Sequence, residues 1–147
     1  MRILVCGSRY WTGGARLSRV LAALQPSVII EGEAPGADSM SRNWGKANIG
    51  SKNVMRFPAK WNEYGQAAGP IRNKQMLDEG RPELVVAFHD DLHHSKGTRD
   101  MMHQARRAGI PVLQVGPGIA WLVFGDEATL PVQRAISAAS FALAPRQ

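Results

Sequence analysis

The chain is short of several things, and each shortage removes a class of protein. It has one cysteine, Cys6, so no internal disulfide can staple it as in small secreted scaffolds. No apolar run is long enough to cross a bilayer as a helix, and no membrane partner is expected. The opening MRILVCGS has neither the length nor the small-residue cleavage site of a secretory signal. A cytoplasmic protein is the expectation from these three points. Lysines and arginines are scattered, with no dense basic run. There is no internal repeat and no low-complexity segment. Neither GxGxxG nor GxxxxGK[ST] occurs, which removes the standard dinucleotide fingerprint and the Walker P-loop. HExxH is absent too, and no zinc or iron spacing rule is met.

What is present fits one domain. The 147 residues are 44% apolar, enough for a real core. The formal charge of +6 and pI near 10.1 tilt partners towards anions: phosphates, nucleotides or nucleic acid. Solubility alone also accounts for a basic surface, so charge ranks these readings without choosing among them.

Short β-like runs alternate with helix-like segments. RILVC (2–6), VIIE (28–31), NVMRFP (53–58), ELVVAF (83–88) and PVLQV (111–115) read as strands, the third polar enough for a sheet edge. Helices are expected over 15–24, 37–48, 69–80, 97–109 and 131–144. Their apolar stripes are Leu17, Val20, Leu21 and Leu24; then Ala37, Met40, Trp44 and Ala47, weakened by Gly45; then Met101, Ala105 and Ala108. The alternation predicts an α/β fold: a Rossmann-like parallel sheet of about five strands flanked by helices, in the order 3-2-1-4-5. Residues 1–147 form a single domain in this reading, with 117–147 as a C-terminal helical extension. There, AWLVFG is short and apolar. Val132, Ile136, Ala139 and Leu143 make a narrow seam, for the chain's own sheet or for a second subunit, and a homo-oligomer is expected.

In an open parallel sheet, ligands sit beyond the carboxyl ends of the strands where strand order reverses. Three glycine-bearing turns fall there: GSRYWTGG after the first strand, GEAPGAD after the second, HDDLHHSKGTRD after the fourth. Gly7, Gly32 and Gly36 allow close backbone approach. Gly36 with Ala37, and Gly97 with Thr98, open helices whose first N–H groups suit an anion. Ser8, Ser95 and Thr98 offer hydroxyls. Arg9 and Lys96 offer charge for phosphate. Asp38 suits a helix cap, a sugar hydroxyl or a base amine. Together these turns point to a phosphorylated small molecule, a nucleotide above all.

GSR, GEAPGAD, the block FPAKWNEYGQAAGPIRN and SKGTRDM, in this order over about residues 1–116, resemble the YspA-like proteins of the SLOG superfamily. The superfamily has a Rossmann-like fold and includes phosphoribohydrolases, the DNA-processing protein DprA and proposed sensors of nucleotide-derived ligands. The resemblance implies an ADP-ribose-like or nucleotide ligand. It implies a site lined by Gly7, Ser8, Arg9, Gly36, Ala37, Asp38, Arg72, Asn73, Gly97 and Thr98. Two departures matter. Relatives usually read GGARGAD where this chain reads GEAPGAD, so Glu33 and Pro35 replace a glycine and an arginine; weaker phosphate binding there, or a different guest, is expected. The phosphoribohydrolases carry PGGxGTxxE, and aligned on Gly97-Thr98 their catalytic glutamate falls on Met101. Asp100 is adjacent, but one step along a helix rotates a side chain by about 100°.

The remaining groups divide between chemistry and packing. Arg72 and Asn73, near a helix start, suit anion contact or a solvated helix end. Tyr10, Trp11, Trp61 and Tyr64 suit base stacking or loop packing. HDDLHH (89–94) reads as a solvated loop, with Asp90 or Asp91 holding a nucleotide-borne Mg²⁺ as the cofactor alternative. His103 falls on a helix surface, and Cys6 faces the core. Binding of a nucleotide-like ligand is the leading expectation. Hydrolysis of an N-glycosidic or phosphate bond in it, with Glu33 and Asp38 as first suspects, is the second. Nucleic-acid binding is the third.

Overall fold

Unbroken apolar runs with β-branched residues become the central strands, because both their faces are covered. In a computed structural model, which describes residues 1–92, 95–116, 120–124 (as backbone) and 129–145, five strands run parallel. They are β1 (Arg2–Gly7), β2 (Val28–Glu31), β3 (Val54–Arg56), β4 (Leu84–Phe88) and β5 (Val112–Val115). A sixth, β6 (Ala120–Phe124), pairs antiparallel with β5, giving the order β3-β2-β1-β4-β5-β6. The expected α/β class and strand order hold. The extension over 117–147, expected to be helical, carries the helix Leu130–Leu143 and also a strand, AWLVF. The strand pairs along the outer side of β5 and becomes the edge strand of the sheet.

The helices form two layers. On one face lie α1 (Gly14–Leu24), α2 (Ala37–Asn48) and α6 (Leu130–Leu143). They pack on Ile3, Val5, Ile29, Val86 and Phe88. On the other face, α4 (Ala68–Gly80) and α5 (Lys96–Arg107) pack on Leu4, Cys6, Ile30, Val85 and Ala87. Successive residues of β1 and β4 therefore alternate between the layers, as the twofold period of a strand requires. A short α3 (Trp61–Tyr64), which the sequence pattern does not announce, precedes α4. Trp11 belongs to the core: its ring tilts against Phe88 at 5.5 Å between centroids, and its Nε1–H donates to the Gly13 carbonyl at 3.1 Å.

The α6 seam is spent within the chain. Val132 and Ala139 are buried, Ile136 and Leu143 are partly so, and the helix lies against α1. Leu130 and Phe141 are the large apolar side chains that α6 leaves exposed.

On α2 the buried face is not the stripe expected from Ala37, Met40, Trp44 and Ala47. It runs through Ala37, Asp38, Ser41 and Gly45, with Met40 and Trp44 flanking it and Ala47 exposed. Small residues win because the helix lies close on β2 and β3. A Cβ on Gly45 would stand 2.8 Å from Val54 Cγ2 and 3.2 Å from Ile29 Cδ1. Gly45 is thus the contact that seats the helix, not a flaw in it. Gly45→Val should destabilise the fold by about 1–3 kcal/mol through overpacking. Urea unfolding checks this, and an unchanged midpoint would refute the close seating of α2.

Candidate functional site

After β1 the chain crosses to α1 on one face; after β4 it crosses to α5 on the other. The carboxyl ends of these neighbouring strands therefore diverge, and a cleft of about 600 Å³ opens there. All three turns named from the sequence reach it.

The first turn is held by one peptide. Ser8 N–H donates to the Phe88 carbonyl at 2.8 Å. Ser8 C=O accepts from Ala37 N–H at 3.1 Å and Trp11 N–H at 3.3 Å. Its hydroxyl oxygen accepts from Tyr10 N–H at 3.0 Å. The second turn reaches this peptide only because residue 36 is glycine. Its φ is +76°, and a Cβ there would lie 2.2 Å from the Ser8 oxygen.

The second turn is closed by Asp38 and clamped by Arg72. Asp38 Oδ2 accepts from Gly32 N–H at 3.1 Å and Ala34 N–H at 3.2 Å. The Arg72 guanidinium donates to the Gly32 carbonyl and, at 3.4 Å, to the Phe57 carbonyl. It lies so close over Gly32 that a Cβ there would meet Nη1 at 2.3 Å. Glu33 adopts φ +59° and pairs with Arg56.

The third turn is fastened to α4. Asn73 is buried; its amide nitrogen donates to Gly97 C=O at 3.2 Å and Asp100 Oδ2 at 2.9 Å, while its oxygen accepts from Arg72 Nε at 3.1 Å. Gln104 donates to the same Asp100 oxygen at 2.8 Å and to the Pro70 carbonyl at 3.1 Å. Ser95 caps α5 by accepting from Thr98 N–H at 3.3 Å.

Of the residues named from the sequence, Gly7, Ser8, Arg9, Gly32, Asp38, Arg72, Asn73, Ser95, Lys96, Gly97 and Thr98 line the cleft. Gly36 and Ala37 do not. The Ala37 N–H is taken by Ser8, so the α2 start serves the protein's own backbone. Arg72 and Asn73 sit at the cleft but spend most of their polar atoms on the wall. Met101 is fully buried in the core, away from the cleft lining. Tyr10, at 89% exposure, and Trp61, at 53%, flank the opening. His89 is the lining residue that the sequence reading misplaced: it is 8% exposed rather than solvated, because it directly continues β4. Its position just beyond an apolar strand, at the edge where order reverses, is the signal that could have found it. Among the described residues no three metal-ligand side chains converge. His93 and His94 of HDDLHH lie outside the described residues.

Over 123 residues the chain is 35% identical to the Gene 61 protein of Mycobacterium phage D29, covering 78% of this chain and 96% of that protein. The chain belongs to the Gene 61 protein family. No family model and no solved structure matches it. The name Gene 61 states no activity, so the chemistry of this family member is read from its charges.

Two acids of this Gene 61 relative are buried at unusual cost. Burial pushes Asp38 from 3.8 up to about 6, against the pull of the Ala34 N–H and the Arg72 charge. Burial likewise raises Glu31 from 4.5 to about 7, against the Glu33 N–H bond at 2.6 Å. Arg42 and Arg56 stand 3.7 and 3.8 Å from Glu31 Oε1, which has no hydrogen bond. Glu31 faces α2, not the cleft. The sequence reading saw it only as the end of a strand. Burial also pushes the Cys6 thiol up, so it is no nucleophile.

Both acids bind protons more tightly folded than unfolded. Their contribution to stability is complete below about pH 4 and drains away as pH rises through about 6 to 7. Glu31→Gln should therefore flatten the fall in stability between about pH 5 and 7.5 and stabilise the protein at the alkaline end. Chemical unfolding across that range tests it; parallel profiles for the two proteins would overturn the assignment.

Proposed function

We propose that the chain binds a nucleotide or nucleotide-derived, ADP-ribose-like ligand in this cleft, as a YspA-like member of the SLOG superfamily. The observation that carries the reading is the convergence of three strand-end turns on one cleft of about 600 Å³, within the size range of small-molecule sites. Arg9 and Lys96 are exposed on its wall and supply charge for phosphate. The start of α5 supplies the N–H groups of Lys96 and Gly97, those of Thr98 and Arg99 being taken by Ser95. Tyr10 and Trp61 supply faces on which a base can stack. Asp90 and Asp91, exposed on the same wall, are the acids that would face a Mg²⁺ carried in with the phosphates.

Asn73 has a different role from the one expected. With its amide committed to Gly97, Asp100 and Arg72, it positions the third turn and does not read the ligand. Binding without turnover fits the acids best. Glu33 is neutralised by Arg56, and Asp38 holds the second turn shut. A ligand of this kind places the protein in the cytoplasm. A homo-oligomer would use the outer side of α6, at Leu130 and Phe141.

Calorimetry against ATP, ADP-ribose, NAD and cyclic nucleotides tests the proposal. At least one should bind, and Arg9→Ala should weaken it about tenfold or more, the value of a charge-assisted hydrogen bond. Failure of the whole panel, or indifference to Arg9→Ala, defeats it. Chromatography of the bound nucleotide after incubation should return it intact; a cleaved product establishes the hydrolase instead.

A further inference from the structure

We propose that His89 is a ligand-contacting residue whose Nε2–H donates a hydrogen bond to an oxygen acceptor of the guest in the cleft. The inference rests on the binding reading above and names one of the contacts that would give it selectivity. Three observations lead to it.

The first is place. His89 follows Phe88 at the carboxyl end of β4, the strand bonded to the Ser8 turn, and it lines the cleft. Its backbone N–H donates to the Val115 carbonyl at 3.0 Å, so the residue is anchored as an extension of the sheet. Groups fixed to a sheet edge hold a more exact position than groups on a free loop.

The second is the state of the ring. Nδ1 accepts from Asp91 N–H at 2.8 Å, so its lone pair is engaged and it carries no proton. In a neutral imidazole the proton must then be on Nε2. Burial lowers the pKa of this histidine, against the raising influence of Asp90 and Asp91, which keeps the ring neutral near pH 7.

The third is the missing partner. Among the described residues no protein group receives the Nε2–H, and Nε2 is not sealed among the buried atoms that lack a partner. The donor is thus open to the cleft, where a guest oxygen can take the place of water. As a neutral donor beside Asp90 and Asp91, it adds direction without adding charge. It would accept an oxygen and reject an N–H at that point of the ligand, and sites built on such pairing discriminate strongly.

Two substitutions separate the two nitrogens. His89→Asn retains an acceptor near Nδ1 for the Asp91 N–H and deletes the distal donor. His89→Gln retains a donor near Nε2 and deletes the proximal acceptor. Calorimetry with ATP, ADP-ribose and pyrophosphate should show His89→Asn binding about tenfold more weakly, with its unfolding midpoint close to that of the unaltered protein. His89→Gln should bind within about threefold. Loss with pyrophosphate as well as ATP puts the acceptor on a phosphate; loss confined to ATP and ADP-ribose puts it on the nucleoside. Side-chain ¹⁵N spectra of the free protein should show the Nε2–H tautomer. Undiminished affinity in His89→Asn, or a proton on Nδ1, overturns this inference alone. No binding of any probe by the unaltered protein overturns the nucleotide reading and this inference with it.

Discussion

The Ser8 peptide is the junction on which the site depends. Its N–H goes to β4 and its carbonyl to the start of α2, so one residue of the β1 turn ties together the turns after three strands. A backbone junction of this kind is rigid and cannot be relieved by a change of rotamer. It also has a price in recognition. The α2 start, which sequence alone would assign to an anion, has its leading N–H turned inward. The helix start that lines the cleft is that of α5, and its geometry is set by Asn73 of α4, which bonds Gly97 and Asp100 within the same layer.

Charge at the cleft is local, not a general basic field. Glu33, Asp38, Asp90 and Asp91 share the wall with Arg9, Arg72 and Lys96. Arg72 is largely committed to backbone carbonyls, and Glu33 is paired with Arg56. The overall +6 therefore does not describe what a ligand meets. At physiological salt, exposed charges more than about 8 Å apart hardly feel one another. An anion in the cleft would have to draw on close contacts with Arg9, Lys96 and the α5 start.

The sheet was legible because its central strands are continuously apolar and its turns are punctuated by glycine. Most of the cleft lining followed, since strand-end turns in such a sheet must open on one side. The failures have specific causes. β6 was missed because five short apolar residues carry no period that distinguishes strand from core. The α2 face was misjudged because hydrophobicity favoured Trp44, whereas close approach to Val54 and Ile29 favoured Gly45. Asn73 and Arg72 lie at the cleft, but a sequence does not show that Gly97, Asp100 and Gly32 already engage their polar atoms. His89 was taken for one of a run of solvated polar residues, since composition cannot separate the first residue beyond a strand from those that follow.

Buried acids with raised pKa values usually direct attention to catalysis, since a general acid works best near the operating pH. Here the same shifts have another source. Glu31, at about 7, is on the α2 side of the sheet and bonds the N–H of Glu33. Asp38, at about 6, receives two backbone N–H groups that close the GEAPGAD turn. Each carboxylate is buried because a tight turn after β2 leaves N–H groups that only a side chain can reach. The two N–H groups on Asp38 Oδ2 fix this carboxyl as part of the wall that shapes the cleft. The perturbed acids are thus the means by which the turn is held.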